Sequence, residues 1–366
     1  MCDLSWVSTV MPTSMFDRAC MNHGAAVAGL VAVCALALAG CGGKSGSSAS
    51  STASSSQAAA APSPAESPLA LEQQFVAIVK ETQPEVVQIG TNGGLGSGVI
   101  FDPKGDIVTN AHVVAGASEI GITLADGRRY PARLVGAYTP DDLAVVSIGS
   151  GHSLKPAHFG DSSKVEVGDI VLATGNPLGL QTSVTDGIVS AIGRSVTEGQ
   201  GVVLPNAIQT SAPINPGNSG GALASLRGEV IGIPTLAASN PQAGGAASGI
   251  GFAIPSNLVR DIANQIIRYG RVVNSHRAAL CVSLADNPVR PGALLAAVAS
   301  GGPADKAGLV AGDSIEAING RSVANGDDLA TLLATLEPGE NAKLTVSRQD
   351  GSRSNVTVTL GTLGAG

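Results

Sequence analysis

Short apolar runs separated by glycine turns dominate the middle of the chain. Segments such as GSGVIFD, DIVTNAHVV, EIGITLA and DIVLATG have the composition of strands, and Asp126-Gly127 and Arg227-Gly228 stand where hairpin turns are expected. No alternating helices interrupt these runs over roughly 185 residues, and this pattern favours antiparallel sheets. The sequence therefore predicts a mainly β fold, with one or two antiparallel β-barrels that end near residue 256.

A helical pattern precedes the strands. Leu71, Phe75, Ile78 and Val79 share one face at helical spacing, and Pro84 ends the pattern. We therefore expect ordered structure to begin near Leu71 with one helix.

The N-terminal region has the pattern of an exported protein. Residues 25–38 form an apolar stretch of 14, which is the length of a signal-peptide core and shorter than a bilayer span. The stretch ends in Leu38-Ala39-Gly40-Cys41, which resembles a bacterial lipobox and implies cleavage before Cys41 and lipidation of that cysteine. We expect a signal peptide over residues 1–40 and a disordered Ser/Ala/Pro-rich tether over residues 41–68. The protein would then be anchored at the extracytoplasmic face of the cell membrane; secretion, or anchoring by an uncleaved N-terminal segment, is the alternative.

The composition limits both the class of protein and the partners that are expected. Charged residues make up 13% of the chain and the net charge is −7, so a surface for nucleic acid is not expected. Apolar residues make up 44%, which is enough to bury a core and excludes wholesale disorder. The histidines and cysteines show no close pair at metal-ligand spacing, and we expect no metal or other cofactor.

Three polar segments in the β region carry the residue types of a serine hydrolase. They are TNAHVV with His112, DDLAV with Asp142, and NPGNSGG with Ser219. A serine nucleophile needs a base to remove its proton, a carboxylate to orient that base, and donors for the developing oxyanion. His112, Asp142 and Ser219 can fill these roles, and the backbone N–H groups of Gly217 and Ser219 are the candidate donors.

Each segment alone has a structural alternative. A histidine after a strand, a loop aspartate such as Asp141 and a glycine-rich turn are all common without chemistry. Residues 217–221 also satisfy the GxSxG pattern of α/β-hydrolases, but that fold places its histidine after the serine. Only His276 follows Ser219, in a polar junction, so the His–Asp–Ser order favours the triad.

Together these motifs resemble the HtrA (Deg) family of serine proteases. The matching text includes GSGVIFDPKGDIVTNAHVV, DDLAVV, AIQTSAPINPGNSGGAL and GIGFAIP, and it covers about residues 70–362. The resemblance implies a chymotrypsin-like double β-barrel over residues 69–276 and a small α+β PDZ domain over residues 277–362. It also implies an ATP-independent endopeptidase for unfolded or misfolded proteins, working as a homotrimer. The implied catalytic triad and oxyanion loop are His112, Asp142, Ser219, and Gly217, Asn218, Ser219.

The same resemblance implies where the S1 pocket lies. This fold places the pocket floor just before the nucleophile loop, at Pro213 and Ile214, and Ile250 and Phe252 would add an apolar wall. None of the four is charged, so a Lys or Arg side chain would lose its hydration there without a partner. We predict cleavage after Val, Ala, Ile or Leu, and hence attack on unfolded chains, because such residues are buried in folded ones.

The C-terminal region resembles a PDZ domain in SGGPADKAGL, GDSI and ING, with a helix expected over Asp327–Leu336. PDZ domains bind C-terminal segments by adding a strand to a sheet edge, and the matching carboxylate loop comprises Leu280, Cys281 and Val282. The family usually has glycine at the position of Cys281. Because a side chain makes a positive φ costly there, we expect a reshaped loop. A structural or trimer-regulating PDZ domain is the alternative, and for the whole chain a chaperone-like binder or an activator-gated protease.

Overall fold

The described part of the chain opens with a helix. Helix α1 (Pro68–Thr82) is followed by a 3-10 turn over Gln83–Glu85, in which Pro84 ends the helix as expected. On its predicted apolar face Ile78 is buried, whereas Leu71 is 37% exposed. The computed structural model describes the following residues, which all belong to one compact unit: 68–176, 183–197, 203–215, 217–240, 245–285 and 291–364.

Six antiparallel strands form the first barrel. Their bounds are β1 (Val86–Thr91), β2 (Gly94–Ile100), β3 (Asp106–Thr109), β4 (Ile120–Thr123), β5 (Arg129–Tyr138) and β6 (Leu143–Ser147). The barrel closes in the order β1-β2-β3-β6-β5-β4, and the short helix α2 (Ala111–Val114) follows β3. The predicted turn between β4 and β5 is confirmed: Gly127 has a φ of +86°, which glycine adopts at little cost.

Six further strands form the second barrel. Their bounds are β7 (Ile170–Gly175), β8 (Ser183–Thr197), β9 (Val203–Thr210), β10 (Ala222–Ser225), β11 (Val230–Asn240) and β12 (Gly245–Pro255). This barrel closes in the order β10-β11-β12-β9-β8-β7. The predicted turn at Arg227-Gly228 joins β10 to β11, with Gly228 at a φ of +74°.

An apolar core joins the two barrels and a helix that the sequence patterns left unassigned. Helix α3 (Ser256–Tyr269) ends at Gly270, whose N–H donates to the Ile266 carbonyl oxygen at 2.8 Å. Its buried face repeats at helical spacing and packs on residues of both barrels. The shared core includes Val86, Val99, Val108 and Tyr138 of the first barrel, Leu204, Ala222, Ile233 and Ile254 of the second, and Val259, Ile262, Ala263 and Ile266 of α3.

The remaining residues form a small α+β domain, as predicted. Its strands are β13 (Ala278–Ala279), β14 (Val282–Ala285), β15 (Ala293–Val298), β16 (Ser314–Ile318), β17 (Arg321–Ser322), β18 (Asn341–Ser347), β19 (Arg353–Thr359) and β20 (Gly361–Thr362). Its helices are α4 (Pro303–Lys306) and α5 (Gly326–Leu333), and β14 is the terminal strand of the sheet β14-β15-β16-β18-β19. Leu329 and Leu332 of α5 are buried in its core. The predicted fold class, a double antiparallel barrel followed by an α+β domain, is confirmed.

Candidate active site

The three predicted triad residues come from both barrels. His112 lies on α2, directly after β3, and Asp142 lies between a 3-10 turn and β6, so the first barrel holds both. Ser219 lies in the glycine-rich loop that precedes β10 of the second barrel. The shared core between the barrels therefore fixes the position of the serine relative to the histidine and aspartate.

Asp142 holds the segment around His112 through both its side-chain carboxylate and its backbone carbonyl oxygen. Its Oδ2 lies 2.8 Å from His112 Nδ1, and its Oδ1 accepts the backbone N–H of His112 at 3.0 Å. Its own carbonyl oxygen accepts hydrogen bonds from Asn110 Nδ2 at 3.0 Å and from the Ala111 N–H at 3.1 Å. The Asp142 side chain is 5% exposed and that of His112 is 46% exposed. A buried carboxylate thus orients an imidazole that faces solvent on its other side.

Thr235 links the serine to the aspartate, and the sequence analysis did not find it. Its hydroxyl donates to Asp142 Oδ2 at 2.6 Å, and its backbone carbonyl accepts the hydroxyl of Ser219 at 2.7 Å. A serine hydroxyl has one hydrogen, so in this arrangement it points at Thr235 rather than at His112. The available sequence signal was that Thr235 is the single polar residue in the apolar run VIGIPT.

The nucleophile loop is a tight turn built on glycine. Gly217 has a φ of +105°, and the Asn218 N–H donates to the Asn215 carbonyl oxygen at 3.0 Å. Asn218 was one of the predicted oxyanion residues, but its N–H is used within this turn and is a poor candidate for the donor role. The backbone N–H groups of Gly217 and Ser219 remain the candidates.

Of the predicted S1 residues, Ile214 packs against Gly251 of β12, and Ile250 and Phe252 are the chain neighbours of that glycine. Ile214 is buried, and a Cβ built on Gly251 would lie 2.4 Å from Ile214 Cγ1, so only a glycine lets β12 approach this closely. Gly251 stands between Ile250, which is 37% exposed, and Phe252, which is 8% exposed. Pro213 is exposed at the surface before the loop. The neighbourhood is apolar, and its role as the S1 pocket remains a prediction.

Asp141, which the sequence left as a turn residue, is a buried charge. It is fully buried, and its Oδ1 accepts a hydrogen bond from an Arg277 guanidinium nitrogen at 2.9 Å. Burial raises the pKa of Asp141 to about 6, against the opposing effect of the Arg277 charge. Among the described residues, no group donates to its Oδ2. Arg277 precedes β13, so this pair ties the beginning of the α+β domain to the residue before Asp142.

The predicted carboxylate loop keeps its turn despite the cysteine. Cys281 has a φ of +58°, so the expected reshaping of this loop was wrong. Leu280 is buried in the core of the α+β domain, and Val282 is half-buried at the start of β14, where it pairs with Val298. The Cys281 carbonyl oxygen accepts the Ala299 N–H at 3.0 Å. The loop thus leads directly into the terminal strand of the sheet.

Two further observations concern the described residues alone. They contain no group of three or more His, Cys, Asp and Glu side chains placed to hold a metal ion. None of their helices combines the length and the apolar character needed to cross a membrane. The predicted lipidation site, Cys41, lies outside the described residues.

Comparisons with known families agree with this architecture. Residues 96–233 match the model of the trypsin-like peptidase domain, and residues 271–360 match that of the PDZ domain. Fold and site together thus define a trypsin-like peptidase domain followed by a PDZ domain.

Individual relatives narrow this class to a family. The periplasmic pH-dependent serine endoprotease DegQ of Escherichia coli (strain K12) is 43% identical over 277 residues, which cover 74% of this chain and 60% of DegQ. The serine protease Do-like HtrA of Bacillus subtilis (strain 168) is 40% identical over 264 residues, which cover 66% of this chain and 58% of that protein. The chain therefore spans about 60% of the length of the curated relatives it matches.

Solved structures match over nearly their whole length. The HtrA-type protease AlgW with a tripeptide is 36% identical with a TM-score of 0.56, and the match covers 79% of this chain and 97% of AlgW. The serine endoprotease from Yersinia pestis is 34% identical with a TM-score of 0.56, covering 79% of this chain and 98% of that one. The chain belongs to the HtrA family of serine proteases.

Proposed function

We propose that this chain is an ATP-independent serine endopeptidase that cleaves unfolded or misfolded proteins outside the cytoplasm. The observation that carries the proposal is the 2.8 Å contact between His112 Nδ1 and Asp142 Oδ2, in a site that Thr235 connects to Ser219. A histidine whose Nδ1–H is held by a buried carboxylate has its Nε2 as the base, which is the tautomer that acyl transfer requires.

Catalysis begins when the Ser219 hydroxyl turns from the Thr235 carbonyl oxygen to His112. Ser219 Oγ then bonds to the scissile carbonyl carbon as its proton passes to Nε2, and the substrate oxygen becomes an oxyanion held by the N–H groups of Gly217 and Ser219. Nε2 returns the proton to the departing amine, which leaves an acyl-enzyme. Water, deprotonated by the same nitrogen, hydrolyses this ester and restores Ser219.

Substrate choice is proposed to follow the apolar neighbourhood of Ile214. The uncharged residues there favour Val, Ala, Ile or Leu before the scissile bond, because a charged side chain would be desolvated without a partner. Folded proteins bury such residues, so the preferred substrates are unfolded polypeptides.

The PDZ domain is proposed to bind C-terminal peptides. β14 is the terminal strand of its sheet among the described residues, and an added peptide strand would pair there with its carboxylate at the loop of Leu280 and Cys281. The PDZ helix α5 contacts β8 and β9 of the second barrel, so an occupant of the groove could influence the protease. The Ser219 hydroxyl, donating to Thr235, favours an activator-gated protease as the second candidate function.

Location and assembly are proposed from the sequence and the relatives. DegQ of Escherichia coli is named as a periplasmic protease, which supports an extracytoplasmic site of action. We propose attachment to the membrane through a lipid on Cys41, and a homotrimer to which exposed apolar residues of α1, such as Leu69 and Val76, contribute.

The experiment compares the full chain with its Ser219→Ala variant on a permanently unfolded protein, with fragments read by mass spectrometry. Cuts after aliphatic residues by the wild type alone support both the triad and the apolar pocket. Cuts after Lys or Arg contradict the pocket and leave the triad intact. Equal cutting by both proteins contradicts the triad, and cutting by wild type only after a C-terminal peptide is added supports the activator-gated form.

A further inference from the structure

Ser97, on β2 of the first barrel, holds the nucleophile loop of the second. Its side chain is completely buried. Its hydroxyl donates to the Gly217 carbonyl oxygen at 2.5 Å and accepts the Asn176 N–H at 2.8 Å, and its backbone N–H donates to the Ser219 carbonyl oxygen at 3.0 Å. One residue of the histidine-bearing barrel therefore bonds the loop on both sides of residue 218.

The remaining polar atom of Ser97 is also engaged. Its carbonyl oxygen accepts the Thr109 hydroxyl at 2.7 Å. A Cβ built on Gly220 would lie 2.2 Å from the same oxygen, so the loop backbone runs directly against it. Every polar group of this buried residue is therefore hydrogen-bonded.

The Ser97 hydroxyl fixes the peptide plane between Gly217 and Asn218. The carbonyl of this plane is bonded to Ser97, and its N–H is bonded to the Asn215 carbonyl oxygen at 3.0 Å. Because a peptide unit is planar, bonds at opposite ends prevent the plane from rotating.

The Ser97 backbone fixes the plane after the nucleophile in the same way. The Ser219 carbonyl accepts the Ser97 N–H, and the Gly220 N–H donates to the Pro234 carbonyl oxygen at 2.9 Å. Two locked planes therefore flank the peptide between Asn218 and Ser219, whose N–H is a candidate oxyanion donor.

The intervening plane is oriented by the same turn. The Asn218 carbonyl accepts the Gly221 N–H at 2.9 Å, which directs the Ser219 N–H of that plane the opposite way. The direction of this donor thus depends on the two neighbouring planes that Ser97 holds.

We propose that Ser97 is a positioning residue for the oxyanion hole, acting through its hydroxyl on Gly217. This inference rests on the proposed function, because an oxyanion forms only if Ser219 attacks a carbonyl group. Loss of the hydroxyl frees the Gly217–Asn218 plane and removes the Ser97 oxygen that accepts the buried Asn176 N–H. Since small displacements of catalytic donors are costly, we expect kcat for Ser97→Ala to fall about 10- to 100-fold with KM little changed.

The test uses the full chain with Ser97→Ala, and Ser147→Ala as the matched control. Ser147 is also a buried serine of the first barrel, and its hydroxyl oxygen accepts the Gly149 N–H at 3.3 Å. Each variant is measured with a peptide substrate, with a peptide boronic acid that forms a tetrahedral adduct on Ser219, and with the corresponding peptide carboxylate as a product. Thermal midpoints are recorded for all three proteins.

The expected result separates affinity for the tetrahedral boronic acid adduct, which resembles the transition state, from affinity for the peptide product, which does not. For Ser97→Ala, boronic acid affinity falls by the same factor as kcat/KM, while product affinity changes by about twofold or less. Ser147→Ala leaves both affinities unchanged. An equal loss of boronate and product affinity, or no loss of either, overturns the proposal. If the variant is less stable, the ratio of the two affinities measured below its Tm still decides the outcome.

Failure of the proposed function has a different signature. In that case the wild-type chain shows no Ser219-dependent cleavage and no boronic acid adduct, so the Ser97 inference fails with it. A wild type that cleaves normally beside an equally active Ser97→Ala protein refutes the positioning role alone.

Discussion

Substitution of Asp141 by asparagine tests whether its burial outweighs its pairing with Arg277. The exchange keeps the shape of the side chain and removes its charge. Arg277 keeps hydrogen-bond partners in this variant, because its guanidinium also donates to the carbonyl oxygens of Pro140 at 2.6 Å and Val203 at 2.9 Å. The variant therefore isolates the cost of the buried carboxylate.

The size of the effect on the free energy of unfolding follows from the pKa of Asp141. Burial raises this pKa from 3.8 to about 6, although the Arg277 charge opposes the rise. The folded state then holds this proton more tightly than the unfolded state does. The contribution of Asp141 to stability is fully present below pH 3.8 and is lost as the pH rises through 6, by about 3 kcal/mol in all. Asparagine does not titrate, so the variant gains about that much relative to the native protein across this interval.

Calorimetric scans at pH 4 and pH 7.5 measure this difference, with all proteins carrying Ser219→Ala to prevent self-digestion. About 2.5 kcal/mol of this change falls between the two pH values. At about 2–4 °C per kcal/mol for a protein of this size, the Tm of Asp141→Asn minus that of the native side chain rises by about 5–10 °C between them. Arg277→Met removes the opposing cation instead, and its Tm deficit grows with pH. If the Tm difference between Asp141→Asn and the native side chain stays constant or falls as the pH rises, the reasoning is refuted.

Two other substitutions probe the site itself. Thr235→Val removes the hydroxyl that donates to Asp142 Oδ2; since a hydrogen bond to a charged group is worth about 1.5–3 kcal/mol, steady-state kcat/KM is expected to fall about 10- to 100-fold. An unchanged kcat/KM would contradict the view that the Thr235 hydroxyl supports the Asp142 carboxylate in catalysis. Gly220→Ala places a Cβ 2.2 Å from the Ser97 carbonyl oxygen at a φ of +80°, whereas Gly127→Ala, at a φ of +86°, meets open space. Peptidase activity is expected to fall more than about 100-fold in the first and to be retained in the second, and equal losses would refute the steric account.

The parts of the fold that depend on local sequence patterns were predictable. Glycines at Asp126-Gly127 and Arg227-Gly228 mark hairpin turns because only glycine adopts their backbone conformation easily, and the apolar runs between glycine turns have the length and composition of strands. Helix α3 was missed although Val259, Ile262 and Ile266 repeat at helical spacing, so the signal was present in the sequence.

The candidate site was predictable in its residue types and less so in its supports. His112, Asp142 and Ser219 stand in motifs whose composition already implies chemistry. Thr235 is a single threonine in an apolar strand, and nothing local marks its bond to a residue 93 positions away.

Two further features depend on tertiary structure alone. The pairing of Asp141 with Arg277 joins residues 136 positions apart, so only the assembled barrels bring them together. Cys281 holds a φ of +58°, which is uncommon for a residue with a side chain, and no local sequence pattern predicts it.

Covalent labelling of Ser219 tests the central claim most directly. The full chain is treated with a fluorophosphonate, which phosphonylates a serine with loss of fluoride only when a neighbouring base and oxyanion donors activate it. The predicted result is a single adduct in the intact mass, mapped to Ser219 and absent from both Ser219→Ala and His112→Ala. An adduct on another residue, or equal labelling of the His112→Ala protein, would contradict the assignment of these residues as a catalytic unit.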